Sequence, residues 1–229
     1  NSIVIVIPTY NEADNIQPII EAVLALPIST DILVVDDNSP DGTASIVKKL
    51  MERNAQVQLS VREKKEGLGP AYVDGFRWAL DKGYDYLFEM DADFSHPPQA
   101  LVAMHYMLEQ NKADLVVGSR YKKGIRVRNW PLGRIFLSVG ASLYVRLITG
   151  LPVTDPTAGF VGYKTAVLRS LDLEDIRFKG YAFQIALKFW AWKKGFRIAE
   201  FPIIFTAVFI LNIIRYFRLI TSRRSGRYL

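Results

Sequence analysis

The acidic residues of this chain gather where its apolar runs end. Ile3-Val4-Ile5-Val6-Ile7 gives way to Pro8-Thr9-Tyr10-Asn11-Glu12, and Ile32-Leu33-Val34-Val35 gives way to Asp36-Asp37-Asn38-Ser39-Pro40-Asp41-Gly42. A third run ends in Asp91-Ala92-Asp93. Carboxylates crowded into one cleft repel one another unless a cation or a donor-rich ligand is present. Asp91 and Asp93, two positions apart, offer hard oxygen ligands suited to Mg²⁺ or Mn²⁺. A lone Asp-x-Asp is as easily a turn or a helix cap. Three acidic strand ends together point to a site.

Those acids need elements to carry them. The β-branched run at 3–7 reads as a strand buried on both faces, as do 32–35, 57–61, 84–90 and 115–117. Between them lie helical stretches at Asp14–Leu26, Thr43–Arg53, Pro70–Lys82 and Pro97–Asn111. Asn11 is placed to cap the first, and Pro70 and Pro97 suit first-turn positions. Strand–helix alternation implies an α/β fold, a mostly parallel sheet with helices on both faces. In such sheets ligands bind beyond the carboxyl ends of the strands, where the acids fall. After Gly118 the rhythm changes. A helix is expected from Leu132, a strand at 160–163, an aromatic-rich helix at 181–194 and a last strand at 196–205. An amphipathic helix is expected at Ala207–Ile220.

Composition narrows the chemistry. The 229 residues include no cysteine and two histidines, which excludes a disulfide framework, a thiolate zinc site and a Cys nucleophile. The net charge of +6 invites a nucleic-acid reading, but its distribution argues otherwise. Residues 119–150 hold seven basic residues and no acid, and residues 207–229 hold five and no acid. Taking both from the 29 basic residues leaves 17 against all 23 acids, so an acidic domain carries two basic segments. No basic stripe with interleaved aromatic platforms is present, and a nucleic-acid partner is not expected. The first strand begins without a signal-like segment before it.

No Gly-x-Gly-x-x-Gly follows the first strand and no P-loop motif occurs, which disfavours dinucleotide oxidoreductases and P-loop enzymes. A flavodoxin-like receiver would use Asp36 and Asp37, yet it leaves Asp91-Ala92-Asp93 and the basic segment unexplained. An acidic, metal-ready cleft beside a basic segment fits a nucleoside-diphosphate ligand and a second, anionic substrate.

Five ordered motifs carry a resemblance. Residues 5–12 (IVIPTYNE), 34–43 (VVDDNSPDGT), 67–69 (GLG), 90–97 (MDADFSHP) and 118–121 (GSRY) resemble glycosyltransferase family 2. Within it the chain is most similar to the polyprenol-phosphate (dolichol-phosphate) mannose synthase type. Residues 129–131, 157–160 and 178–184 look like the type without C-terminal membrane spans. The resemblance implies a GT-A fold and inverting transfer of mannose from GDP-mannose to a polyprenyl phosphate. A UDP-glucose donor, or a glycan hydroxyl as acceptor, remains open.

Carried over by position, Pro8, Tyr10, Glu12, Asp37, Asp91, Ala92 and Gln184 would line the donor site, with Asp36 either joining them or bracing the loop. Asp91 and Asp93 would hold a divalent metal, Mg²⁺ or Mn²⁺. Arg120, Arg134 and Ser138 match positions that hold the acceptor phosphate, and guanidinium forks suit that grip. Asp93, Arg120 and Arg134 are then the catalytic set. A phosphate acceptor is already anionic, so no general base is expected, and Asp155 reads as a loop anchor.

The resemblance implies a catalytic domain at 1–206 and a membrane-surface helix with a basic tail at 207–229, acting on the cytoplasmic face of a membrane. One departure stands out. Family members carry a basic, Gly-Ser-Lys-containing stretch before a helix like Ala207-Val208-Phe209, whereas here strand and helix abut. Either the chain lacks it or the sequence omits it; the turnless junction favours omission.

Overall fold

Continuous β-branched stretches cannot face water on either side, and the sheet is built so that they do not. In a computed structural model, which describes residues 1–173 and 180–207, strand β1 (Ile3–Thr9) is buried at all seven positions. Ile3, Ile5 and Ile7 enter one core layer, while Val4 and Val6 enter the other. The first layer is covered by α1 (Ile16–Leu24), α2 (Thr43–Met51) and α4 (Ala100–Glu109). The second is covered by α3 (Leu68–Lys82), the short α6 (Thr165–Ser170) and α7 (Tyr181–Lys193).

The main sheet has seven strands. It includes β2 (Asp31–Asp36), β3 (Val57–Val61), β4 (Tyr86–Glu89), β5 (Leu115–Ser119), β7 (Val161–Lys164) and β8 (Ile198–Pro202), in the order β3-β2-β1-β4-β7-β5-β8. All pairings are parallel except those of β7, which runs antiparallel to β4 and β5. A second small sheet pairs β6 (Val127–Arg128) with β9 (Phe205–Thr206). The α/β expectation is met, with one reversal that periodicity could not show. After β5 the chain detours through β6 and α5 (Leu132–Thr149) and re-enters at the edge it left. Its next strand must therefore run backwards. The start of β7, not its end, lies beside the ends of β4 and β5, so the loop at 151–160 is delivered to the same edge as the acids.

Three local expectations need correction. Asn11 is not the cap of α1: it sits at φ +60°, and the carbonyl of Glu12 accepts the N–H groups of Asn15 and Ile16. The chain turns once more before the helix starts, because residues 8–12 are drawn along the cavity wall. Pro97 lies ahead of α4, in a turn where its carbonyl accepts the Ala100 N–H at 3.0 Å. The expected last strand at 196–205 divides into β8 and β9. Pro70, by contrast, does sit in the first turn of its helix. The helix expected at 207–220 lies outside the described residues, apart from Ala207.

Two contacts show how tightly the reversed strand is held. Gly162 faces the buried Phe88 ring so closely that an added Cβ would overlap it. At the far end Asp114, just before β5, accepts from Lys164 at the end of β7 (2.9 Å) and from the backbone and guanidinium of Arg197 before β8 (2.9–3.0 Å). The Arg197 and Lys164 hydrogen bonds overcome partial burial and hold the Asp114 carboxyl far below its ordinary value of 3.8. Asp114→Asn should cost about 1–3 kcal/mol at neutral pH, read as a shift in the urea midpoint. A depressed carboxyl stabilises fully above 3.8 and loses that contribution as pH falls towards its folded-state value. The gap between variant and wild type should therefore narrow below about pH 4. A constant gap would mean that the charge on Asp114 is not what joins the three strands.

Candidate active site

Two cavities open at the carboxyl edge, one of about 290 Å³ and one of about 250 Å³, and they share Asp91 and Leu68. The outer one is walled by Pro8, Tyr10 and Glu12 after β1, by Asp37 after β2 and by the Asp91-Ala92-Asp93 turn after β4. Its walls are laced together by loop hydrogen bonds. The N–H groups of Asn11 and Glu12 donate to the hydroxyls of Ser39 and Thr43, and that of Ala13 to Asp41. Asp36 is fully buried behind this wall and accepts from Thr9 Oγ1 (2.7 Å), Ser39 N (2.8 Å) and Ser39 Oγ (2.6 Å). Its carboxylate does not line the cavity and is taken up by these loop hydrogen bonds. Asp37 does reach the cavity and is held by Arg62 at 2.6 Å.

The remaining wall is cationic. Lys65 lies over the Tyr10 ring, 3.7 Å from its centroid. Gly67 (φ +103°) opens α3 so that the first turn, Leu68 to Ala71, lines the cavity. A helix N-terminus presents unpaired N–H groups and positive partial charge, which favours phosphate. The acids opposite behave as a crowded set. Burial, then the charges of Asp93, Asp91 and Asp41, push the Glu12 carboxyl up against the Asn15 hydrogen bond. Burial likewise raises Asp91, with Asp93 adding to it while His96 and Tyr72 oppose.

The turn that carries Asp93 is bent sharply. Phe94 adopts φ +60°, a conformation that non-glycine residues occupy only at a cost. Asp93 accepts the Ser95 N–H at 2.9 Å. Ser95 Oγ, two residues on, is buried and finds no hydrogen-bond partner among the described residues. No three His, Cys, Asp or Glu side chains among those residues converge to cage a metal alone. Two carboxylates at the cavity wall and their mutual repulsion fit a divalent ion.

The inner cavity has the opposite character. Arg120, at the end of β5, grips Asp155 through Nε (2.7 Å) and Nη2 (2.6 Å), and its backbone N–H donates to the same carboxylate at 2.9 Å. Nη2 also donates to Thr157 Oγ1 at 2.7 Å. Burial works against the Arg120 cation, but Asp155 outweighs it and holds its pKa above the ordinary value. The guanidinium lies 5.2–5.7 Å from the ring centroids of Tyr121, Trp130 and Phe205. Arg134, in the first turn of α5, stacks on Trp130 at 4.4 Å and also lines the cavity. His96 stacks on Phe160; burial lowers its pKa against the pull of Asp91 and Asp93, and its Nδ1 accepts the Asp91 N–H.

Gln184 lines this inner cavity rather than the outer one, and its amide donates to the buried Glu89. Tyr163 also donates to Glu89 (2.7 Å), and the Lys188 ammonium donates to Gln184 and Ala158. Burial raises the Glu89 pKa and lowers that of Lys188, each opposed by the other's charge. This pair fixes the cavity floor from below. Ser138 is one turn beyond Arg134 but accepts from the Tyr121 hydroxyl at 2.7 Å and does not line the cavity.

The structure thus brings together Pro8, Tyr10, Glu12, Asp37, Asp91, Ala92 and Asp93 around one space, and Arg120, Arg134 and Gln184 around the next. The sequence assigned no site role to Lys65, His96, Trp130 or Thr157. Lys65 sits in a run of charges that reads as solvated surface, while the other three lie in the motifs at 90–97, 129–131 and 157–160 without a residue-level role. Asp155 is buried and ion-paired, as an anchor should be. Asp155→Ala should cost about 3–5 kcal/mol, because the Arg120 charge would be left buried and unpaired. A denaturation midpoint within about 1 kcal/mol of wild type would overturn that anchoring role.

A sequence profile described as glycosyl transferase family 2 matches residues 4–172. The undecaprenyl-phosphate mannosyltransferase of Micrococcus luteus is 43% identical over 200 residues, spanning 87% of this chain and 82% of its own. The polyprenol monophosphomannose synthase of Mycolicibacterium smegmatis is 44% identical over 203 residues, spanning 88% and 76%. Among solved structures, a mannosyltransferase from Pyrobaculum calidifontis in complex with GDP-Man and Mn²⁺ superposes with a TM-score of 0.61. It is 18% identical, and the match covers 90% of this chain and 56% of that one, a likeness of fold. By the extent of the profile and the identity to these relatives, the chain belongs to glycosyl transferase family 2.

Proposed function

We propose that the protein transfers mannose from GDP-mannose to a polyprenyl phosphate at the cytoplasmic face of a membrane. The observation that carries the reading is the meeting of an acid-rich cavity and an arginine-lined cavity at Asp91. Relatives 43–44% identical bear the names of undecaprenyl- and polyprenyl-phosphate mannosyltransferases. The outer cavity takes the nucleoside diphosphate, with the base against Tyr10 and the ribose near Asp37 or Asp91. Lys65 and the first turn of α3 face the phosphates. Asp91 and Asp93 would hold a divalent ion, Mg²⁺ or Mn²⁺, which when bound would supply positive charge to the leaving group.

The sugar lies near Asp91, where the cavities join. In the inner cavity Arg134 holds the acceptor phosphate. Arg120 adds its cationic face while Asp155 fixes its orientation, and Ser138 joins only if Tyr121 releases it. A phosphate oxygen attacks the anomeric carbon as the bond to the donor's diphosphate oxygen breaks, and the configuration inverts. No proton has to be removed from a phosphate oxygen that is already anionic, so no side chain acts as base. Two groups in the inner cavity are already engaged: Asp155 is paired with Arg120, and His96 Nδ1 accepts the Asp91 N–H. Rate enhancement comes from positioning and from charge stabilisation at the leaving group.

With Mn²⁺ present, GDP-mannose should raise the melting temperature more than UDP-glucose does; the reverse order would make this a glucose transferase. Asp93→Asn should lower kcat by about 10²–10³ at saturating metal. Turnover near that of wild type would remove Asp93 from the metal site. Arg134→Ala should raise the lipid-phosphate KM by roughly 10–100-fold, the worth of one charge-assisted contact, with the donor KM little changed. An unaltered acceptor KM would contradict the acceptor assignment.

A further inference from the structure

Lys188 is a cation where a solvated side chain has no place. It lies midway along α7 with no exposed surface, beneath the inner cavity, and the proposed reaction leaves it unused. Three oxygens lie within reach of its three N–H groups: the Ala158 carbonyl at 2.7 Å, the Gln184 carbonyl at 3.0 Å and Gln184 Oε1 at 3.2 Å. The opposing charge is Glu89, at the end of β4 and also without exposed surface. One of its oxygens accepts from the Tyr163 hydroxyl at 2.7 Å and the other from Gln184 Nε2.

The Gln184 amide is therefore strung between a carboxylate and an ammonium. An amide in neutral surroundings can turn over, exchanging its oxygen for its nitrogen at little cost. Here the reversed amide would aim its oxygen at the Glu89 carboxylate and its N–H groups at the ammonium, an acceptor against an acceptor and donors against donors. The charge pair enforces one orientation. With one N–H of Nε2 given to Glu89, the second is what Gln184 has to offer the cavity that it lines. The neighbouring wall residue is Gly159, where an added Cβ would lie 3.9 Å from Nε2, and glycine leaves that approach open. The ammonium also pulls on Oε1, which polarises the amide and strengthens its N–H groups as donors in a low-dielectric surround. The floor as a whole is neutral, one buried charge set against the other, while the cation suited to an anionic ligand is Arg134. A single amide N–H on a neutral floor suits a hydroxyl oxygen better than a phosphate.

We propose that Lys188 is a positioning residue: with Glu89 it fixes the Gln184 amide so that an N–H donates to a hydroxyl oxygen of the sugar being transferred. The fixed amide is read from contacts alone, while the identity of its ligand rests on the proposed function. Lys188→Met by itself would strand the Glu89 carboxylate in the core, so both charges are removed together in Lys188→Met/Glu89→Gln, a change that buried ion pairs often tolerate. The amide is then free to turn over. The double variant should keep the melting temperature of wild type, its affinity for GDP with Mn²⁺ and its KM for polyprenyl phosphate. Its kcat/KM for GDP-mannose should fall by about 10–100-fold. Across the monodeoxy analogues of GDP-mannose, the deficit should vanish for the one lacking the hydroxyl that Gln184 holds. Gln184→Met, which deletes the donor and leaves both charges in place, should single out the same analogue.

A deficit equal across all the analogues would leave Lys188 a structural residue only, and one confined to the lipid-phosphate KM would give the N–H to the acceptor. Either result overturns the proposal, as does the absence of any deficit. A wild type that transfers no mannose to any polyprenyl phosphate sinks the proposed function instead. The positioning is then decided in the free protein, where the double variant should shift the side-chain NH₂ resonances of Gln184; unshifted resonances would overturn it.

Discussion

A single buried ion pair turns one edge of the sheet into a cleft with two chambers. Arg120 directly follows β5, Asp155 lies in the loop that enters the reversed β7, and three hydrogen bonds between them join the two. Taking both charges out of water costs more than their attraction returns unless the geometry is good and the remaining donors are satisfied. Here the contact is bidentate, the backbone N–H adds a third bond and Thr157 takes another. The wall of the inner cavity hangs from this pair. It sets the cavity wall at Thr157 and Ala158 and orients the guanidinium in its aromatic cage.

Because Asp155 neutralises Arg120, the net positive charge of the inner chamber rests on Arg134. The outer chamber is held in the opposite state by Glu12, Asp91 and Asp93, whose crowding lifts the Glu12 and Asp91 carboxyls. Asp91 stands at the boundary, with His96 behind it. On the proposed function, a donor diphosphate and an anionic acceptor would occupy adjoining sites of opposite charge, and the bond between them would form where the two chambers meet.

Much of this was legible in the chain itself. The runs at 3–7, 32–35 and 57–61 identify buried parallel strands because nothing else tolerates β-branched residues on both faces. The acids at 37, 91 and 93 announce the outer chamber because like charges are not gathered without a reason. What stayed hidden depends on tertiary path. The reversal of β7 follows from where the detour through α5 returns, which no local pattern encodes. Asp36 and Asp37 are identical neighbours in sequence, and only the pleat sends one behind the wall and the other into the cavity.

The central claim is that the acceptor arrives as an anion that needs no base. A direct measurement is to offer the protein GDP-mannose, Mn²⁺ and either a polyprenyl phosphate or the corresponding free polyprenol, and to follow the mannosylated lipid. Product should form from the phosphate and none above background from the alcohol. Mannosylation of the alcohol at a comparable rate would require a general base in the inner chamber, and would contradict it.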